Sequence, residues 1–121
     1  AALSLVRGKT LCEETGRTEY AALATLELGL IEIEREDYEG AISLLDAARE
    51  TFEASESVFL WRVYKGLSEA HGASAEGEHD SRVYARLALT RLDQLLDRGH
   101  GSQRERDTMR EARDELANLV G

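Results

Sequence analysis

No proline occurs anywhere in the 121 residues, where average usage would place roughly six. Proline breaks helix interiors and is the commonest rigid-loop residue. Its absence leaves helices uninterrupted and gives the turns to glycine. A single cysteine, Cys12, excludes an intrachain disulfide and gives no sign of an oxidising compartment. No apolar run approaches the length of a membrane span, and no signal peptide is visible. The basic residues are nearly all arginine, with Lys9 and Lys65 the only lysines, a skew that reads as composition bias. Met109 is the only methionine, so Ala1 is not a translation start and the chain is expected to be a segment of a longer protein. A glycine-rich phosphate loop, Cys-x-x-Cys, His-Glu-x-x-His and a nucleophile elbow are all missing. No catalytic residue, cofactor or metal is therefore expected.

The formal net charge is −9. Phosphate neutralisation needs clustered basic surface, so a nucleic-acid partner is not expected. An anionic membrane surface is disfavoured for the same reason. A soluble protein of the cytoplasm is expected.

Alanine, leucine, glutamate and arginine dominate, and all are good helix formers. The pattern predicts six helices. The first covers about 3–15, with Gly16 as its C-terminal cap. The second runs over about 18–35. Asp37 caps a third, from Tyr38 to about Phe52. Ser55 or Ser57 starts a fourth that reaches His71 and stops at Gly72. A glycine-bearing loop spans 72–79. Asp80 caps a fifth, ending near Arg98. Ser102-Gln-Arg-Glu105 has the form of a capping box and opens a sixth that runs to about Val120. Connections of a few residues force antiparallel neighbours, which predicts a meander of helical hairpins forming a single domain.

In the second helix, Ala22, Leu26, Leu30 and Ile33 fall on one side. Ala21, Ala24, Leu28 and Ile31 fall on nearly the opposite side, with Thr25 and Glu32, and Glu27 and Glu34, as polar seams between them. A helix apolar on two faces is expected to be sandwiched between neighbours. The sixth helix has only the thin stripe Met109, Ala112, Leu116 and Leu119, which is expected of a terminal cap.

Residues 25–53 resemble a tetratricopeptide repeat. Leu28-Gly29 matches its Leu-Gly pair. Glu36-Asp37-Tyr38-Glu39-Gly40-Ala41 looks like its turn and the small residue that follows, and Leu45 and Ala48 match the next apolar slots. Gly29 and Ala41 would let two helices approach closely, with Tyr38 in the wedge at their junction. A degenerate copy starts near Tyr64, with Leu67 and Ser68 in matching slots and His71 in a later aromatic slot. Thr25 and Glu32 stand where the family has aromatics, and Glu53 where it has proline. The matched repeats cover about 22–54 and 57–98, flanked by a half-repeat helix over 1–16 and a capping helix over 102–120.

The resemblance implies an all-α stack of antiparallel helix pairs, a short solenoid whose concave groove is lined by the first helix of each pair. By slot, the groove residues would be Leu23, Leu26, Leu30 and Ile33 in the first copy, and Arg62, Lys65 and Glu69 in the second. Read from the residues alone, the leucines are core, and Arg62 and Lys65 a solvated face. Trp61 lies off the main apolar face, either packed on a neighbour or exposed as an anchor. A partner with a carboxylate and an apolar anchor would suit both sets. Glu78-His79-Asp80, with His71 nearby, is the only dense group of ligand types and reads as hydrophilic loop. His71 is expected against Tyr64 and Leu67, and Cys12, on the side of Leu5, as buried filler. The run Glu32, Glu34, Glu36, Asp37 and Glu39 reads as a solvated stretch. The expected function is a protein–protein interaction or scaffolding module that binds a peptide or partner helix. Pairing of two copies through end faces or Trp61 is the alternative.

Overall fold

A computed structural model describes the backbone of residues 2–120 and the side chains of 17–74 and 76–120. Five α-helices follow one another: α1 (Ala2–Glu34), α2 (Tyr38–Ser55), α3 (Leu60–Gly72), α4 (Glu78–Asp97) and α5 (Gln103–Val120). No strand occurs among the described residues, and no helix among them is long and apolar enough to cross a membrane.

The expected first and second helices are one. α1 runs through Gly16 without interruption, because one interior glycine costs only about 1 kcal/mol relative to alanine, which good helix formers on both sides offset. Two further starts differ from expectation. α2 continues to Ser55, Glu56 turns left-handed, and α3 begins at Leu60 instead of Ser55 or Ser57. The expected loop 72–79 contains a short 3-10 turn at Ala75–Gly77, and α4 starts at Glu78 instead of after Asp80. Ser74 caps that turn by accepting from the Gly77 N–H at 3.1 Å.

Other local expectations hold. The Asp37 carboxylate accepts from the Gly40 N–H at 3.1 Å and starts α2. Ser102 caps α5 with half of the expected box: the Glu105 N–H donates to Ser102 Oγ at 3.2 Å, while the Glu105 carboxylate accepts from that hydroxyl at 3.3 Å and not from the Ser102 backbone.

α1 packs on α2, α2 on α3, α3 on α4 and α4 on α5, and α1 also reaches α3. The core runs continuously through these contacts from Ala22 and Leu26 through Leu45, Ala48 and Phe52, then Val63 and Leu67, then Ala88 and Leu92, to Met109 and Leu116. The close approach rests on glycine. A Cβ added at Gly29 would lie 2.8 Å from Leu45 Cγ, and one at Gly66 would lie 3.0 Å from Leu45 Cδ1. Leu45 thus projects from α2 into the gap where α1 and α3 carry no side chain. Of the repeat positions, Ala41, Leu45, Ala48, Tyr64, Leu67 and Ser68 are buried, Tyr38 is half-buried and Leu28 is exposed. Ser68 satisfies its hydroxyl by donating to the Ser81 carbonyl at 2.8 Å, while Ser81 Oγ donates back to the Ser68 carbonyl at 2.8 Å. This reciprocal pair locks α3 to α4.

The sandwiched second helix is a correction. Leu26 is fully buried, but Leu28 is 53% exposed, Ile31 42% and Tyr20 77%. One apolar side of α1 faces the core, and the opposite side has nothing over it among the described residues. Periodicity identified both sides, but only one has a neighbour to cover it. Leu119 also departs from its stripe and is 56% exposed, while Met109, Ala112 and Leu116 are buried. Cys12 and Leu5 lie among the residues whose side chains are outside this description.

Candidate groove between α1, α3 and α5

Two cavities adjoin along one face of α3. The first, of about 230 Å³, is lined by Leu30 of α1, by Trp61, Arg62, Lys65, Gly66 and Glu69 of α3, and by Thr108, Glu111, Ala112 and Glu115 of α5. The second, of about 360 Å³, lies between the start of α3, the end of α4 and the start of α5. Val58, Phe59, Leu95 and Met109 give it an apolar lining, and His100, Arg104 and Glu105 its polar edge. Trp61, Arg62 and Thr108 belong to both walls, so the two cavities form one groove that Trp61 divides.

The sequence-expected groove residues separate here. Leu30, Arg62, Lys65, Glu69 and Trp61 come together in the first cavity. Leu26 does not: it is fully buried core. Leu23 and Ile33 pack half-buried against the core and are absent from both linings. The 3.6-residue period places all four leucine and isoleucine positions on one side, but that side is wider than the groove. Trp61 combines both of its open readings, being packed partly against the core and lining the groove.

Arg62 and Lys65 are each engaged by carboxylates of their own chain. Arg62 reaches Glu27 of α1 at 2.7 Å. Lys65 lies 2.8 Å from Glu69 and 3.5 Å from Glu115 of α5. Burial alone would lower the Lys65 pKa, but hydrogen bonding and charge attraction from Glu69 and Glu115 outweigh it and leave the value raised. The Arg62–Glu27 and Lys65–Glu115 pairs cross between helices and link α1 and α5 to α3 at the groove wall, while Lys65–Glu69 lies within α3.

α5 was expected only as a cap, yet it supplies one whole wall. Thr108, Glu111 and Glu115 recur at three- and four-residue spacing beside the buried stripe, and that flank was the available signal. Val58 and Phe59 were missed because the stretch from Ser55 reads as helix start, whereas residues 56–59 are a turn that presents both side chains outward, Phe59 meeting the Phe52 ring at 6.0 Å.

On the far side of α3, His71 stacks on Tyr84 of α4 with ring centres 5.5 Å apart, and Tyr84 stacks on Tyr64 at 6.2 Å. The expected packing of His71 directly on Tyr64 is thus mediated by an α4 ring. Tyr64 Oη donates to Glu53 at 3.1 Å. Burial first, then the adjacent Glu53 carboxylate, push its pKa up to about 12. Glu78 pairs with Arg82 at 2.8 Å, and among the described residues no three His, Cys, Asp or Glu side chains gather as a metal site.

Comparison with protein-family models, with curated proteins and with solved structures finds no match.

Proposed function

We propose that this chain is an interaction module that holds a segment of a partner protein in the groove between α1, α3 and α5. The observation that carries the proposal is the pair of adjoining cavities around Trp61, lined in their larger half by Val58, Phe59, Leu95 and Met109. A half-buried tryptophan flanked by open apolar space is the kind of anchor on which binding energy concentrates. Two consecutive helix pairs, the glycine-mediated approach to Leu45 and the Asp37 cap support reading the fold as a short tetratricopeptide-like stack. In such a stack this groove is the concave side. We place it in a scaffolding or regulatory protein of the cytoplasm, a location in keeping with the acidic composition.

The test uses Trp61, the only tryptophan, as its own reporter. Peptides selected for binding should shift Trp61 emission. Val58→Asp, a change at an exposed position, should leave stability within about 0.5 kcal/mol and weaken those peptides by roughly tenfold or more. Peptides that bind wild type and V58D equally, with Trp61 emission unmoved, would exclude the groove.

The exposed side of α1 favours a second reading, self-association. Tyr20, Leu28 and Ile31 make an apolar strip that a second copy would cover. Trp61 has less support as that contact, because it is partly covered within its own chain. Sedimentation at high concentration separates the readings: a clean monomer rejects pairing, and a dimer broken by Leu28→Glu supports it.

A further inference from the structure

We propose that the occupant of this groove is a basic, apolar segment of another protein, which sets an aliphatic or aromatic side chain against Trp61 and a lysine or arginine beside Glu111 and Glu115. This rests on the groove being the binding surface, and the charges along its wall decide the chemistry. Both cations of the smaller cavity are engaged within the chain, Arg62 by Glu27 and Lys65 by Glu69 and Glu115. Glu111 pairs with no cation among the described residues, and Glu115 holds only the longer, 3.5 Å share of Lys65. The two carboxylates stand one turn apart on α5, where side chains are neighbours and like charges repel. A cation from the occupant relieves that repulsion. The raised Lys65 pKa fits a negative potential at this wall. In the smaller cavity an acidic segment would meet these carboxylates, and both cations beside them are already engaged.

The larger cavity supplies the other half of the recognition. Val58, Phe59 and Met109 offer no hydrogen-bonding side chain, so a purely polar basic peptide would leave that space wet. Arg104, unpaired among the described residues, edges this second cavity. It gives the occupant a direction, with its cation toward Glu111 and its apolar, non-basic end toward Arg104.

The experiment titrates the protein with an amphipathic helical peptide built of leucine and lysine, and with its twin carrying glutamate for every lysine. Trp61 emission is the readout. The lysine peptide is expected to bind at least about tenfold tighter than the glutamate twin. Glu111→Gln with Glu115→Gln should weaken the lysine peptide about tenfold, as expected for close charge pairs. Glu34→Gln with Glu50→Gln lowers the net charge equally on surfaces away from the groove, and should weaken it by no more than about twofold at moderate salt. Val58→Asp should weaken both peptides. Equal binding of the twin, or an equal loss in the Glu34/Glu50 variant, with V58D still weakening binding, overturns the basic occupant and leaves the groove standing. No change in Trp61 emission with either peptide, and no effect of V58D, overturns the groove itself.

Discussion

Leu45 sits fully buried between two glycines, and its neighbours show how much depends on single carbon atoms. At Gly29 an added Cβ would meet Leu45 Cγ at 2.8 Å and Cδ2 at 2.9 Å. Cγ is the branch point of a side chain closed in on all sides, so it cannot swing away. At Gly66 the nearest atoms are methyl ends, Leu45 Cδ1 at 3.0 Å and Leu30 Cδ2 at 3.2 Å, and Leu30 is half-buried with room to yield. Alanine gains about 1 kcal/mol of helix propensity at either position, against about 1–3 kcal/mol for overpacking. Gly29→Ala should therefore lose about 1–2 kcal/mol, while Gly66→Ala stays within about 1 kcal/mol of wild type. Urea denaturation measures both. In a Leu45→Ala background Gly29→Ala should turn neutral or stabilising, a coupling that a double-mutant cycle resolves. Gly29, Ala41 and Leu45 were legible through the repeat-like pattern, but that Leu45 is the residue filling the space at Gly29 was not. Leu28, beside Gly29, was not: a periodic pattern marks an apolar side without counting the helices available to cover it.

Helix ends show the same division between local and tertiary information. α1, α2 and α4 each close with the same pair of backbone bonds. After α1, the Glu36 N–H donates to the Ile33 carbonyl and the Asp37 N–H to the Glu32 carbonyl. After α2, the Glu56 N–H donates to Glu53 and the Ser57 N–H to Phe52. After α4, Gly99 donates to Leu96 and His100 to Leu95. The motif needs a left-handed residue, for which glycine suits best. Gly99 has φ 66°, but Glu36 adopts φ 64° and Glu56 φ 51°. Side chains with a Cβ are strained there. Glu36→Gly and Glu56→Gly should each raise stability by about 0.5–1 kcal/mol, the relief of strain exceeding the added freedom of the unfolded chain. Glu36→Gln removes the same charge and keeps the strain, so it should give a smaller gain in the same thermal or urea melt. The capping residues Asp37 and Ser102 were readable because their chemistry is local. The stop at Gly16 was misread because glycine marks a helix end only when the chain beyond it turns away. The turn at 56–59 was hidden for the converse reason, a glutamate standing where glycine would have announced it.

At the scale of the molecule, the groove was half legible: α3 supplied its residues by slot, whereas the α5 wall and the turn carrying Val58 and Phe59 depend on how distant segments meet. Two tyrosines packed between α2, α3 and α4, together with Lys65 at the groove wall, give the whole fold a dependence on alkaline pH. Tyr64 is pushed up to about 12 from its ordinary 10.0, by burial and then by Glu53. Tyr84 is raised as well, chiefly by burial, with Asp46, Asp80 and Glu53 opposing Arg49. Lys65 is raised by the carboxylates that offset its burial. The sign is common to all three. In the unfolded chain each group loses its proton at its ordinary value, while the folded chain still holds it. The native state therefore binds more protons above roughly pH 10, and stability must fall as pH rises. Tyr64 alone contributes a slope of about 1.4 kcal/mol per pH unit between roughly pH 10 and 12. Below that window its phenol is protonated in both states and adds no slope. Tyr64→Phe loses the hydrogen bond to Glu53, about 0.5–1.5 kcal/mol at neutral pH, but has no phenol to ionise. Urea melts of the two proteins should show wild type ahead near neutrality and the gap closing or reversing by about pH 11. Parallel pH curves for the two would mean that the Tyr64 phenol ionises as readily in the folded chain as in the unfolded one, and that the α2–α3–α4 seam is open to water.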